Sequence, residues 1–151
     1  MPSRRDQIKM SDEELAAFLD EEKVVTCATI GPNGRPHLMP LWFVRDGERL
    51  RGWTFAKSQK AKNLERDARA TLQLETGDQY DQLRGVMIEA ETVIHRGAEI
   101  VAALGTKIYE RYTGHSGVEE MVAAQAAKRI GLQFVPRRVA SWDHRKLAGV
   151  Y

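Results

Sequence analysis

The sequence is poor in cysteine, with Cys27 as the only one among 151 residues. A single cysteine cannot form an intrachain disulfide, and it excludes cysteine-rich zinc and iron–sulfur sites. It is also typical of a reducing cytoplasm. The four histidines are scattered along the chain without the spacing of a metal site. We therefore expect a cytoplasmic protein that binds no metal.

Long apolar runs and a strong excess of one charge are also lacking. No run approaches the roughly 18 residues that a membrane-spanning helix needs, and residues 1–10 lack the apolar core of a signal peptide. The 23 Lys and Arg residues exceed the 21 Asp and Glu residues by only two. So small an excess does not call for a membrane or nucleic-acid partner, and any basic site must be local.

The length and patterning predict a flexible lead-in at residues 1–10 and a single domain at residues 11–151. Ser11 and Glu14 form a capping-box signature for a helix at the start of the domain. Six or seven strands follow, joined mostly by short turns. Successive hairpins favour antiparallel pairing, and closure into a small barrel with peripheral helices would hide the strand edges.

Proline and glycine mark irregular positions in the predicted strands. Pro36 and Pro40 lie in the second strand, residues 35–44, which is therefore expected to be bulged or at a sheet edge. Gly85 indicates a bulge or a close backbone approach in a long strand. Pro136 divides the last β segment into two short predicted strands.

The most informative stretch is WTFAKSQKAKNL, residues 53–64. A predicted strand ends in aromatic and hydroxyl residues, the chain turns at Ser58, and a lysine-rich helix begins. A helix N-terminus presents free N–H groups and the positive end of the helix dipole, and nearby lysines add full charges. Lys57 and Lys60 are three residues apart and share a face, whereas Lys62 points elsewhere. This arrangement favours binding of a phosphate group.

Other interpretations of these patterns stay open. The lysine-rich helix also fits a solvated basic surface, or weak nucleic-acid binding, but it lacks interleaved exposed aromatics, and we expect no nucleic-acid partner. The second strand, with Met39 and Trp42, either lies along a flat aromatic ligand or is a bulged edge strand with core aromatics. Cys27, in an apolar strand, fits a small buried side chain better than a catalytic nucleophile.

The C-terminal segment SWDHRKL, residues 141–147, gathers a tryptophan, a histidine and two cations. It is either a mobile tail or a stacking ring with cations placed over a bound ligand. The family resemblance that follows favours the second interpretation.

Four stretches resemble the pyridoxamine 5′-phosphate oxidase-like family of flavin-binding split β-barrels. They are the hairpin TCATIGPNGRPHLMPLWFV, the segment DGERLRGWTFAKSQKAKNLERDARATL, the strand LRGVMIEAET and the closing RRVASWDHRKL. The resemblance covers residues 11–147 and points to the actinobacterial branch that uses the deazaflavin coenzyme F420. Its most specific part is the pattern K-x-x-K-x-x-N-L at residues 57–64, after a strand that ends in an aromatic residue and a threonine.

The resemblance implies a mainly β fold, a split antiparallel β-barrel of the FMN-binding type with peripheral helices. It also implies a homodimer with cofactor sites in clefts at the dimer interface. The residues that match the family's phosphate site are Thr54, Lys57, Ser58, Lys60 and Asn63. The edge of the second strand would lie along the isoalloxazine-type ring at Met39, Pro40, Leu41 and Trp42. Trp142 matches a C-terminal tryptophan of the family near the partner's cofactor.

One position departs from the aminating oxidases of the family, which carry an arginine where this chain has Gln59. The resemblance therefore does not imply oxidation of pyridoxamine 5′-phosphate. It implies an F420-dependent oxidoreductase that transfers a hydride from the reduced deazaflavin to a conjugated small-molecule acceptor. Lys62, Arg66 and Arg69 would contact the anionic F420 tail. The alternatives are an FMN-dependent oxidoreductase on the same fold and a non-catalytic flavin- or ligand-binding protein.

Overall fold

One curled antiparallel sheet contains the seven strands found in residues 1–149, the part of the chain that the computed structural model describes. The strands are β1 (Val25–Ile30), β2 (Pro36–Leu41), β3 (Val44–Asp46), β4 (Arg49–Phe55), β5 (Arg69–Thr76), β6 (Arg84–His95) and β7 (Arg129–Asp143). Their order in the sheet is β2-β1-β5-β6-β7-β4-β3. The predicted mainly β, split-barrel architecture is confirmed.

Five α-helices accompany the sheet within residues 1–149. They are α1 (Arg4–Ile8), α2 (Asp12–Glu21), α3 (Gln59–Arg66), α4 (Ala98–Thr113) and α5 (Glu119–Ala126), with short 3-10 turns at Tyr80–Gln82 and His144–Leu147. The predicted capping box starts α2, because Ser11 Oγ accepts from Glu14 N–H (3.1 Å) and Glu14 Oε1 accepts from Ser11 N–H (2.9 Å). The longest helix has 16 residues, and none within residues 1–149 is long and apolar enough to cross a membrane.

The lead-in at residues 1–10 contains α1 and contacts the end of β7. Met10 is buried, and its N–H donates to Ser141 Oγ (3.0 Å). Lys146 Nζ donates to Lys9 O (2.8 Å) and to Glu14 Oε1 (2.6 Å). The flexibility of this segment stays a prediction, as does the single domain at 11–151, whose last two residues lie outside the described part.

The segment predicted as one strand, residues 35–44, is divided in the structure into β2 and β3. Phe43 lies at the break, where its N–H donates to Tyr112 Oη (2.9 Å) and its carbonyl accepts from both Tyr112 Oη (3.0 Å) and Arg111 Nη1 (2.6 Å). These contacts with α4 occupy backbone groups that a continuous strand would use in its ladder. The expectation that β2 is an edge strand is confirmed.

The prediction of two short strands around Pro136 is wrong, because β7 runs without interruption over 15 residues. The register with β6 shifts at this point: Ala90 pairs with Pro136, whereas Glu89 pairs with Arg138. The residue between them, Arg137, is the extra residue of a β-bulge. A bulge removes one position from the ladder, so the strand continues past a proline that cannot donate.

Alternating residues of the strands and the inner faces of α2 and α3 form the main hydrophobic core. Cys27 belongs to it and is fully buried, which confirms the predicted small buried side chain. At Gly85 the structure has a close approach, since a Cβ there would lie 2.3 Å from the Trp142 ring, its partner across the β6–β7 ladder.

Candidate functional site

A cleft of about 520 Å³ opens where the end of β4 meets the break between β2 and β3. We call it the α3 cleft, because the start of α3 forms one of its walls. Its lining residues are Val24, Pro40, Leu41, Trp42, Trp53, Thr54, Phe55, Lys60 and Arg129. The lining contains three aromatic rings, three aliphatic or proline side chains, two cations and no carboxylate. Such a composition suits a ligand with a flat apolar part and an anionic part.

The turn from β4 into α3 is fixed by two hydroxyl groups. Ser58 is the N-cap of α3, and its Oγ accepts from Ala61 N–H (3.1 Å). Thr54 Oγ1 and Ser58 Oγ share a hydrogen bond of 3.2 Å. Thr54 lines the cleft, whereas the Ser58 hydroxyl caps the helix beside it. The positive end of the α3 dipole therefore lies next to the cleft.

Lys60 is the charged group at this helix start. Its residue is only 7% exposed, and it has no hydrogen-bond or ion-pair partner among residues 1–149. Burial lowers the pKa of its amine, with the neighbouring Cys27 as a smaller opposing influence. A buried, unpaired cation costs stability unless something compensates it. An anionic ligand in the cleft would provide that compensation.

The other phosphate-site candidates occupy different positions. Lys57 and Lys62 are exposed on the surface. Asn63 is fully buried on the inner side of α3: its Nδ2 donates to Thr29 Oγ1 (3.0 Å), and its Oδ1 accepts from Gln59 Nε2 (2.7 Å). Asn63 therefore attaches α3 to β1 and does not line the α3 cleft.

The residues expected along a flat ring lie at the end of β2. Pro40, Leu41 and Trp42 line the α3 cleft, whereas Met39 lies beside them on the exposed edge strand. Trp42 is 46% exposed, and one face of its indole stacks on Tyr112, with ring centroids 4.4 Å apart and planes 9° apart. Its other face is free to contact a ligand.

Tyr112 and Arg111 hold this wall in place, and sequence reasoning did not find them. Both bind the backbone of Phe43, the residue after Trp42. Arg111 Nη1 also donates to Tyr112 Oη (2.7 Å), while Nη2 donates to the carbonyls of Leu19 and Glu22 (3.1 and 2.9 Å) at the end of α2. No local pattern in the sequence pairs these residues with the break, because they are about 69 residues away in the chain.

Arg129 is a second cation of the cleft that sequence reasoning missed. It begins β7, directly opposite Phe55 at the end of β4. Its guanidinium carbon lies 4.1 Å from the centroid of the Phe55 ring and 4.8 Å from that of Trp53. The only sequence signal is a cation at the start of a strand after a helix, which is too common to be informative.

The family assignment follows from a comparison of the whole domain. Residues 11–143 match the family model described as pyridoxamine 5′-phosphate oxidase. The chain belongs to this family. The match covers all seven strands and the α3 cleft, and it confirms the resemblance that the motifs indicated.

Solved structures place the chain within this fold. It is 44% identical to conserved hypothetical protein Rv2991 from Mycobacterium tuberculosis, with a TM-score of 0.91 over 99% of this chain and 95% of that one. An F420 reductase is 23% identical, with a TM-score of 0.68 and coverage of 82% and 93%. HutZ, the heme storage protein from Vibrio cholerae, is 18% identical, with a TM-score of 0.68 and coverage of 84% and 91%. A comparison with curated proteins finds no match.

Five of the ten expected site residues therefore line one cleft: Pro40, Leu41, Trp42, Thr54 and Lys60. Trp142 lies elsewhere in the protomer, over Gly85. Two of the cations expected to contact an F420 tail already have partners within the chain. Arg66 donates to Ile30 O, and Arg69 forms an ion pair with Asp67 (2.7 Å). No group of three potential metal ligands occurs among residues 1–149.

Proposed function

We propose that the α3 cleft binds a flavin-type cofactor, with Lys60 holding the phosphate, and that the protein is an oxidoreductase. In its finer form the proposal names F420 as the cofactor and a conjugated small molecule as the hydride acceptor. The observation that carries it is Lys60, a largely buried cation on the first turn of α3 that has no partner among residues 1–149.

The side chains present fit such a cofactor. A volume of about 520 Å³ is in the usual range for small-molecule and cofactor sites. The phosphate would meet Lys60, the helix N-terminus and the Thr54 hydroxyl. The ring would contact Pro40, Leu41 and the free face of Trp42. Lys57, Ser58, Met39 and Trp142 stay proposed members of the site through the family resemblance, the last from a partner subunit. Asn63, which does not line the cleft, is proposed to support the site by holding α3 against β1.

A bound flavin-type cofactor would supply hydride transfer, for which the protein's own side chains are not suited. The protein's own side chains would bind the cofactor and orient it toward the acceptor. Lys60 would fix the position of the phosphate through a charge-assisted hydrogen bond. Trp42, held by Tyr112, limits the tilt of the ring. Trp53 and Phe55 exclude water from the opposite wall.

The choice of F420 rests on the resemblance to the actinobacterial branch and on Gln59. This residue replaces the arginine of the aminating oxidases, and its amide is directed to Asn63 instead of the cleft. The F420 reductase with the same fold supports the proposal only at the level of architecture. FMN carries a phosphate below a similar tricyclic ring, so Lys60 alone does not discriminate between the two cofactors.

Turnover under anaerobic conditions tests this function. Reduced F420 is mixed with the purified protein and with an enone or a quinone, and oxidation of the deazaflavin is followed by its absorbance. We expect oxidation that depends on both the acceptor and the protein. Tighter binding of FMN, with no oxidation of reduced F420 by any conjugated acceptor, would instead support the FMN-dependent alternative.

A further inference from the structure

The second cation of the α3 cleft is held in a fixed orientation by groups that carry no negative charge. The Arg129 guanidinium lies against the rings of Phe55 and Trp53, at 4.1 and 4.8 Å from their centroids. Its Nη1 donates to the carbonyl of Gln125 (3.1 Å), the last turn of α5. The rings and this one hydrogen bond define the plane of the guanidinium and leave its other donors available.

Arg129 has no ion-pair partner in the described part of the chain. Some other arginines have one: Arg45 pairs with Asp20, and Arg145 pairs with Asp143, both at 2.8 Å. The cleft also places Lys60 in the same lining without any carboxylate. Two cations without ion-pair partners in one cleft favour a ligand that brings negative charge to both.

The two cations approach the cleft from different elements. Lys60 is on α3, where the helix N-terminus and the Thr54 hydroxyl could also bind a phosphate. Arg129 is on β7, opposite Phe55 in the β4–β7 ladder, and its guanidinium lies over the Phe55 ring. A planar guanidinium with free donors is suited to bind a carboxylate or another oxyanion through two parallel hydrogen bonds. Arg66 and Arg69, which the sequence suggested for a tail, are engaged elsewhere.

We propose that Arg129 binds a second oxyanion, separate from the phosphate on Lys60, so that the α3 cleft selects ligands with two separated anionic groups. This inference rests on the proposed cofactor site. The second oxyanion is either a carboxylate of the cofactor beyond its phosphate, as in F420, or a carboxylate of the acceptor. In both cases it makes Arg129 a specificity-determining residue.

Ligand titrations with the full-length protein test the inference. Binding of riboflavin, FMN and F420 is measured by fluorescence for the wild type, Arg129→Gln and Arg129→Lys. The matched control is Lys128→Gln, which removes the neighbouring exposed cation. If the cofactor supplies the oxyanion, Arg129→Gln weakens F420 binding about tenfold or more and changes FMN binding less than about threefold, the loss expected for one charge-assisted pair. Arg129→Lys recovers part of the loss, and Lys128→Gln changes little.

If the acceptor supplies the oxyanion, Arg129→Gln leaves F420 affinity unchanged. It then raises the KM of an acceptor that carries a carboxylate, without affecting an uncharged acceptor of the same ring system. Equal losses of FMN and F420 would overturn the inference, because Arg129 would then be part of the phosphate clamp. Unchanged binding and unchanged KM for all ligands would overturn it as well.

A thermal-shift arm separates this inference from the proposed function. Inorganic pyrophosphate, which has two linked anionic groups, is added to the wild type and to Arg129→Gln. A smaller increase in Tm for the variant with pyrophosphate, together with equal increases for both proteins with inorganic phosphate, supports a second oxyanion site even if the wild type binds neither flavin nor deazaflavin, in which case the proposed function alone fails. A smaller increase for the variant with inorganic phosphate as well would place Arg129 in the phosphate clamp and overturn the inference. An equal increase in both proteins with pyrophosphate contradicts the inference.

Discussion

Lys60 is the residue whose energetics depend most on a ligand. Its side chain is largely buried, its amine has no counter-ion among residues 1–149, and burial lowers the pKa of that amine from the ordinary value of 10.5. The folded state thus disfavours the charged form relative to the unfolded chain. Between the folded pKa and 10.5 the unfolded state binds more protons, so this residue makes stability rise with pH in that interval.

We therefore predict that Lys60→Met stabilises the protein in the absence of cofactor at neutral pH while it weakens cofactor binding. A gain of 1 kcal/mol would raise Tm by about 2–4 °C in a domain of this size. Differential scanning calorimetry at pH 7 and pH 10 checks the prediction. The gain should shrink at pH 10, because the lowered pKa lets the folded protein release the Lys60 proton at a lower pH than the unfolded chain does. A lower Tm for Lys60→Met at pH 7 would show that the amine has a stabilising partner.

Helix α4 supports the opposite wall of the α3 cleft through a glycine. Gly105 lies in the middle of α4, where alanine would ordinarily favour the helix by about 1 kcal/mol. A Cβ at this position would lie 2.3 and 2.5 Å from the distal ring carbons of Trp53, which lines the cleft. The glycine is explained by this close approach, because Trp53 could not occupy its place beside a larger residue.

We predict that Gly105→Ala destabilises the fold by about 1–3 kcal/mol, despite the better helix propensity, since it overpacks a filled contact. It should also weaken cofactor binding through displacement of Trp53. Chemical denaturation and ligand titration measure both effects. Trp53→Phe removes the clashing ring carbons, so a double-mutant cycle should show favourable coupling. Additive losses would mean that the cost of Gly105→Ala arises from another contact, such as the one with Val122.

At the scale of elements, sequence patterns correctly predicted the features that depend on residues close together in the chain. Ser11 with Glu14, Ser58 at the start of α3 and the buried Cys27 were all found from neighbouring residues. The break at Phe43 was not, because the groups that replace its ladder come from α4, far along the chain. The bulge at Pro136 likewise depends on pairing with β6.

The same distinction applies to the candidate site. Lys60 and Thr54 could be predicted because the helix start that positions them is contiguous in sequence. Arg129 could not, since it joins the α3 cleft only through the β4–β7 pairing. Asn63 matched a family motif, but the motif does not reveal that its amide is used by Thr29.

At the scale of the whole molecule, exposed apolar side chains surround the α3 cleft and the edge of β2. They are Val24, Leu38, Met39, Trp42 and Phe55, each between 46% and 57% exposed. Pro36 and Pro40 lie at alternate positions with Leu38, so extension of the sheet by another strand would lack two donors. Contact with a second copy through side chains would bury this surface.

We accordingly predict an obligate homodimer whose interface includes this surface. Analytical ultracentrifugation of the wild type should show a dimer, and Leu38→Glu should shift it toward monomer and weaken cofactor binding. Ile100→Glu, at an equally exposed position on α4, is the matched control and should leave the dimer intact. A stable wild-type monomer with full cofactor affinity would contradict the prediction.

The central claim is that Lys60, and not a diffuse basic surface, holds the phosphate of a flavin-type cofactor. The most direct test compares the affinities of Lys60→Ala and Lys62→Ala for F420 and FMN by calorimetric titration, since the two lysines lie two residues apart on α3 and differ in burial. Loss of a charge-assisted hydrogen bond of about 1.5–3 kcal/mol predicts a decrease of about 10- to 150-fold for Lys60→Ala. Lys62→Ala should change affinity less than about threefold, as expected for an exposed charge. Equal losses from the two variants, or full affinity in Lys60→Ala, would contradict the account.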